Sequence, residues 1–109
     1  MKSNFKFGQV INLSAQVDYS EEKVAFTPIF DTTNGGVVLL AFKKGQKLDK
    51  HLATAEVMVN VLEGEVEFTM NDNVHTIGSG EILLMGAEVP QSVKAKKDSK
   101  IMLVKIKNL

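Results

Sequence analysis

His51 is the residue whose type is best suited to chemistry in this chain. Histidine titrates near neutral pH, so it could act as a general base or, in its neutral form, as a metal ligand. The sequence has two histidines and no cysteine, which excludes disulfides, thiolate metal sites and cysteine nucleophiles. One imidazole completed by water cannot hold Zn, Fe or Mn tightly, because such ions take several protein ligands. The other histidine, His75, lies in the segment NVHTIG and is predicted to be a surface residue.

The composition predicts one globular domain without a strong electrostatic field. A length of 109 residues suits a single domain, and the hydrophobic fraction of 44% is ordinary. Thirteen basic and thirteen acidic residues cancel, so we expect no nucleic-acid partner. The N-terminal residues MKSNFKFGQV make a poor signal peptide, and no apolar run approaches the length of a membrane helix. We therefore expect a cytoplasmic protein with no membrane association.

The C-terminal part of the chain is rich in lysine. We interpret this feature as a charged edge strand, because lysine on an edge prevents sheets from pairing with other chains. The six residues are Lys94, Lys96, Lys97, Lys100, Lys105 and Lys107.

Nearly everything after Glu21 is patterned as short strands separated by turns. The segment AEVMVNVLEGEVEFTMND is a predicted hairpin, with Glu63-Gly64 at its corner. Helical spacing is confined to about residues 8–18, where Val10, Leu13 and Val17 share a face. The pattern predicts an all-β sandwich or barrel forming one domain over 1–109, with an N-terminal segment at 1–21 and the barrel at 22–107.

Two apolar surfaces of the predicted strands would need to be covered. The run GVVLLAFKK is typical of a strand that is buried on both faces or paired in a dimer. In the predicted hairpin, Val57, Val59 and Val61 share one face, and the opposite face carries Asn60 among apolar residues. This second face is too apolar for solvent, and a subunit interface would also give Asn60 a partner. We therefore expect a symmetric homodimer.

The spacing around His51 resembles the first conserved motif of the cupin superfamily. In that motif a Gly is followed after five residues by His-x-His, then by a Glu and, six residues further on, by a Gly. Gly45, His51 and Gly64 match this order and spacing, and GEILLMGAEVPQS from Gly80 to Ser92 resembles the second motif. The resemblance covers residues 22–107. It implies a small RmlC-like cupin, an all-β double-stranded β-helix or jelly-roll barrel, preceded here by a short N-terminal helix.

The same resemblance implies that the metal site of the family is degenerate in this chain. Carried over position by position, the second ligand falls on Ala53, the carboxylate on Val57 and the third histidine on Gln91, which leaves His51 as the retained position. Glu56, next to Val57, should point to the opposite face. We therefore expect no metal cofactor.

Without the metal ligands, the predicted cavity is apolar and carries two polar side chains, those of His51 and Gln91. If His51 faces the barrel, alternation brings small apolar side chains to the same side. An imidazole and an amide could together fix a carboxylate, an enol or a sugar hydroxyl on a small ligand. The predicted ligand-binding residues are His51, Ala53, Val57, Val59, Met85 and Gln91.

The leading hypothesis is a metal-free module that binds or senses a small molecule. Its expected partners are that ligand and a second copy of the chain, and no catalytic residue is assigned. One alternative is a cupin enzyme, an isomerase, lyase or dioxygenase, that uses His51 as a base or weak metal ligand. The other is a structural or interaction module whose barrel is filled by its own side chains.

Overall fold

The computed structural model of the protein describes residues 2–3, 5–52 and 54–107, and for residues 2–3 and 50–52 it describes the main chain alone. These residues form ten strands and one 3-10 turn, and none of their helical structure is long and apolar enough to cross a membrane. The elements are β1 (Lys2–Ser3), a 3-10 turn (Leu13–Gln16), β2 (Ala25–Thr32), β3 (Gly35–Phe42), β4 (Lys47–Leu52), β5 (Glu56–Glu63), β6 (Glu65–Met70), β7 (Asn73–Gly78), β8 (Ile82–Met85), β9 (Pro90–Ala95) and β10 (Ser99–Ile106).

The strands form two antiparallel sheets that face each other. The larger sheet has the order β1-β2-β3-β10-β5-β8, and the smaller has the order β4-β9-β6-β7. Alternate residues of each strand point between the sheets and form the main core, which confirms the predicted all-β class. The most buried members of this core are Leu40, Phe42, Val59, Val61, Val66 and Ile101.

The alternation predicted for β5 is confirmed, but the predicted hairpin is wrong. Val57, Val59 and Val61 are buried, whereas Glu56 is exposed on the other side. However, β5 pairs with β10 and β8, and β6 pairs with β7 and β9, so the two arms lie in different sheets. The corner at Gly64 carries the chain from one sheet to the other instead of folding it back in the same plane.

Gly64 allows this corner because the start of β10 comes close to its main chain. The φ angle of Gly64 is 87°, and a Cβ on this residue would lie 2.3 Å from Ser99 Oγ and 2.4 Å from the carbonyl oxygen of Asp98. The same Ser99 hydroxyl accepts a hydrogen bond from the Glu65 N–H at 2.9 Å and lies 2.6 Å from the Lys97 carbonyl oxygen, to which it can donate. A side chain at position 64 would displace this contact.

The N-terminal segment contains less helix than its spacing indicates. The helix predicted within residues 8–18 is reduced to the 3-10 turn, which the Asn12 side chain caps by accepting from the Ala15 N–H at 3.3 Å. The physical reason is that Val10 is fully exposed, so only Leu13 and Val17 pack against the sheet. Two anchors four residues apart need a single turn and not a longer amphipathic helix.

This segment covers the outer face of the larger sheet. Val17 packs on Leu39 and Ala41 of β3, so the apolar run of β3 is buried on both faces within one chain. The Tyr19 hydroxyl donates to Glu63 Oε2 at 3.1 Å and fastens the segment to the end of β5. Burial, together with the hydrogen bond and negative charge of Glu63, raises the pKa of Tyr19 to about 12.

The part of that outer face formed by β8 and the adjoining residues of β5 is mostly apolar and open. Leu84 is 69% exposed and Ile82 54% exposed on β8, next to the partly exposed Met58 and Asn60 of β5. This is the part of the surface on which a partner could pack. The homodimer stays a prediction.

The interpretation of the lysine-rich C-terminus as an edge strand is wrong. β10 lies between β3 and β5, in the interior of the larger sheet. Its lysines are tolerated there because they occupy the outer face or the strand end. Lys100 lies on the outer face with its Nζ 5.0 Å from the centroid of the Tyr19 ring, and Lys105 is exposed near the end of the strand.

The corner contact yields a stability prediction with a matched control. Gly45 has the same φ of 87°, but a Cβ there would meet nothing within 4 Å. We expect Gly45→Ala to lower the free energy of unfolding by about 1–2 kcal/mol, the cost of a left-handed backbone for alanine. Gly64→Ala should lower it by about 3 kcal/mol or more, because overpacking adds to that cost. Urea denaturation measures both, and equal losses would contradict the role assigned to Ser99.

Candidate ligand-binding cavity

A cavity of about 690 Å³ lies between the two sheets. The pairing register of the larger sheet shows how its wall is built, since residues that face each other across neighbouring strands share a side of the sheet. Two successive cross-strand rows on this wall are apolar. One row contains Phe26, Leu40 and Ile101, and the next contains Pro28, Val38 and Leu103.

The following row carries charge. It crosses five strands and forms the edge of the wall near the C-terminal end of β10. Asp31 and Lys105 of this row are exposed, whereas Val57 and Met85 are buried. All of its members line the cavity, so this row forms an entrance that is partly charged. In strand order its members are Asp31, Gly36, Lys105, Val57 and Met85.

The smaller sheet provides the opposite wall. Leu48, Phe68 and Val93 form a cross-strand row on β4, β6 and β9 that lines the cavity with apolar groups. Gln91 lies two residues before Val93 on β9 and therefore on the same side of the strand. It lines the cavity with only 6% of its surface exposed.

The Gln91 amide is the buried polar group of this wall. Among the described residues, none forms a hydrogen bond with it, although its atoms retain contact with the cavity space and are not sealed in the core. A side-chain amide offers two donors and an acceptor. Its surroundings are hydrocarbon from Val93, Phe68 and Met70. The amide is therefore placed to bind a group that enters the cavity.

The residues predicted to form the site are brought together only in part. Val57, Met85 and Gln91 all line the cavity. Val59 is 0% exposed and packs in the closed core, so it is not among the lining residues.

The remaining two predicted positions lie at the end of β4. The main chain of His51 pairs with Gln91 in the register of β4 and β9, and its side chain lies outside the described part of the structure. Ala53 lies outside the described residues altogether. The other histidine, His75, is exposed on β7 as predicted.

Several lining residues were not predicted from the sequence. Asp31 and Lys105 at the entrance, and Phe26 and Phe30 on β2, reach the cavity through the pairing of β2, β3 and β10. The Asn34-Gly35-Gly36 turn signal located the β2–β3 corner, but no pattern indicated that the C-terminal strand would pair beside it.

Comparison with known proteins supports the fold and leaves the function open. No protein-family model and no curated protein matches the sequence. A conserved protein of unknown function from Streptococcus pyogenes has a TM-score of 0.91 at 22% identity, over 100% of this chain and 97% of that one. A cupin 2 conserved barrel domain protein from Leptotrichia buccalis gives 0.85 at 28%, over 89% of this chain and 47% of the other. An RmlC-like cupin from Desulfovibrio desulfuricans gives 0.74 at 27%, over 97% and 96%.

The chain therefore has the fold of a small cupin domain, as the motif resemblance predicted. Two of the family's ligand positions can be examined in the structure, and both line the cavity: Val57 at the carboxylate position and Gln91 at the third histidine position. A hydrocarbon and a neutral amide do not fit a tightly held divalent ion. In the described part of the chain, no three His, Cys, Asp or Glu residues are grouped to hold one.

The surroundings of Gln91 yield a second stability prediction. In Gln91→Leu, an amide with no hydrogen-bond partner among the described residues is replaced by an apolar group, so we expect the free energy of unfolding of the ligand-free protein to rise by about 1 kcal/mol. The control is Gln46→Leu. Gln46 accepts from the Lys43 N–H and donates to the Ser20 carbonyl oxygen, both at 2.8 Å, so its loss should lower the free energy by about 1–3 kcal/mol. Similar losses in both variants, measured by urea denaturation, would show that Gln91 has a structural role.

Proposed function

We propose that the protein binds a small organic molecule in the cavity between its sheets, without a metal ion. The cavity volume of about 690 Å³ is in the usual range for small-molecule sites. Apolar side chains make up most of the described lining, with charged groups at the entrance and the Gln91 amide in the opposite wall. Such a lining is typical of sites that bury an apolar ligand and orient it by a small number of hydrogen bonds.

The observation that carries the proposal is the Gln91 amide. Among the described residues it has no hydrogen-bond partner, and its atoms remain in contact with the cavity space. Gln91 combines deep burial of the residue as a whole with direct contact to the cavity. A ligand could therefore hydrogen-bond to this amide while it fills the apolar space beside it.

This arrangement favours binding over the two alternatives. A filled structural barrel would leave no large cavity beside Leu40, Val57 and Phe68, all of which line one here. Catalysis would add a chemical step at His51 to the same binding, since a substrate would also have to enter this cavity. Binding is therefore the function that the described residues support best.

Filling the cavity tests the proposal. The probe is 1-anilinonaphthalene-8-sulfonate, whose fluorescence rises in apolar sites. We expect saturable binding of about one probe per chain, and Val38→Trp should weaken it about tenfold or more because the indole would occupy the space beside Leu103. The control Val74→Trp makes the same change at an exposed position of β7 and should bind as the unmodified protein does.

Circular dichroism would establish that both variants are folded. The proposal fails if the unmodified protein does not bind the probe saturably, or if Val38→Trp binds it as tightly as Val74→Trp does.

A further inference from the structure

We propose that the ligand is a zwitterion with an apolar body, such as an α-amino acid with an apolar side chain. This inference rests on the proposed function and specifies the ligand class of the same cavity. It is carried by the charged row at the entrance, in which Asp31 and Lys105 flank Gly36 on neighbouring strands.

The Asp31 carboxylate lies close to Gly36, the glycine between Asp31 and Lys105. Its Oδ1 lies 3.2 Å from the place that a Cβ on Gly36 would occupy, and the carbonyl oxygen of Phe30 lies 2.8 Å from the same place. Gly36 alternates with Val38 and Leu40, whose side chains line the cavity, so this place is on the cavity side of the sheet. The Asp31 carboxylate and the Phe30 carbonyl oxygen therefore lie close against Gly36, and a Cβ on this residue would crowd them.

Lys105 pairs with Gly36 from the other side, on β10, and also lines the cavity. Neighbouring strands are about 4.8 Å apart, which places the Asp31 and Lys105 main chains about 10 Å from each other. Among the described residues, no ion pair joins the two side chains. The carboxylate and the ammonium group are thus left to pair with charges on a ligand at the entrance of the cavity.

The charges around the entrance are balanced. Asp49 and Lys107 also line the cavity, so among the residues whose side chains are described two acidic and two basic residues surround the opening. Asp49 also lies 3.9 Å from Lys47 and is partly neutralised by it. A ligand with one net charge of either sign would meet repulsion as well as attraction, whereas a zwitterion placed along the row meets an opposite charge at each end.

The cavity wall beyond the charged row determines the polarity of the rest of the ligand. Val38, Leu103 and Val93 offer only hydrocarbon, and Gln91 is the buried polar group on that side. An ammonium group and a carboxylate at the entrance would therefore be attached to an apolar side chain that points between the sheets. Gln91 is left to bind the carboxylate edge or a polar atom of that side chain.

Three probes with the same aromatic body separate the contributions of the two charges. L-Phenylalanine carries both, 3-phenylpropanoate lacks the ammonium group, and 2-phenylethylamine lacks the carboxylate. By isothermal titration calorimetry we expect L-phenylalanine to bind about tenfold or more tightly than either analogue, because each analogue leaves one entrance charge unpaired.

Two variants assign each charge to its residue. Asp31→Asn should reduce the affinity for L-phenylalanine to about that for 3-phenylpropanoate and leave the latter unreduced. Lys105→Gln should reduce the affinity for L-phenylalanine to about that for 2-phenylethylamine and leave the affinity for 2-phenylethylamine unreduced. Asp72→Asn and Lys97→Gln, the same changes at exposed positions away from the cavity, should alter neither preference.

The outcomes distinguish this inference from the function on which it rests. If the fluorescent probe binds in the cavity but L-phenylalanine binds no better than its analogues, or not at all, the zwitterion is wrong and the binding function stands. Tighter binding of 3-phenylpropanoate alone would show an anionic ligand and also overturn the inference. If Val38→Trp leaves binding of the fluorescent probe unchanged, both proposals fail.

Discussion

The contact between Gly64 and Ser99 is the constraint from which the arrangement of the two sheets follows. Ser99 is fully buried at the start of β10, and its hydroxyl bonds to the main chain of Glu65 just after the corner. The absence of a side chain at Gly64 lets β10 approach this corner, so β5 stays beside β10 while β6 leaves for the other sheet. One close approach thereby holds the start of β10 against the corner at which the chain passes from one sheet to the other.

At the C-terminal end of β10, the cavity separates the two sheets. There the strand reaches Lys105, β3 begins with two glycines, and β2 ends at Asp31 and Thr32. Small residues and exposed charges replace the large apolar side chains that fill the core near Phe42. The fold is thus closed by packing at one end and open at the other, and Gln91 is buried on the wall between them.

The sequence was informative where a property depends on local pattern. The all-β class, the buried face of β5 and the cavity positions of Val57 and Gln91 follow from alternation and motif spacing. Properties that depend on non-local pairing do not follow from local pattern: lysine content predicts an edge strand for β10 and alternation predicts a hairpin for β5 and β6, and both predictions are wrong. The charged row of Asp31 and Lys105 belongs to this second group, because it exists only once β2, β3 and β10 are aligned.

The account depends on the proposal that the cavity between the sheets binds an organic molecule and no metal ion. Native mass spectrometry of protein purified without chelators tests this most directly, because it weighs what the folded chain carries. We expect the folded chain to carry a small organic molecule that is released on unfolding, with no stoichiometric metal. A folded chain that instead carries one Fe, Mn, Ni or Zn ion, lost only on unfolding, would contradict the account.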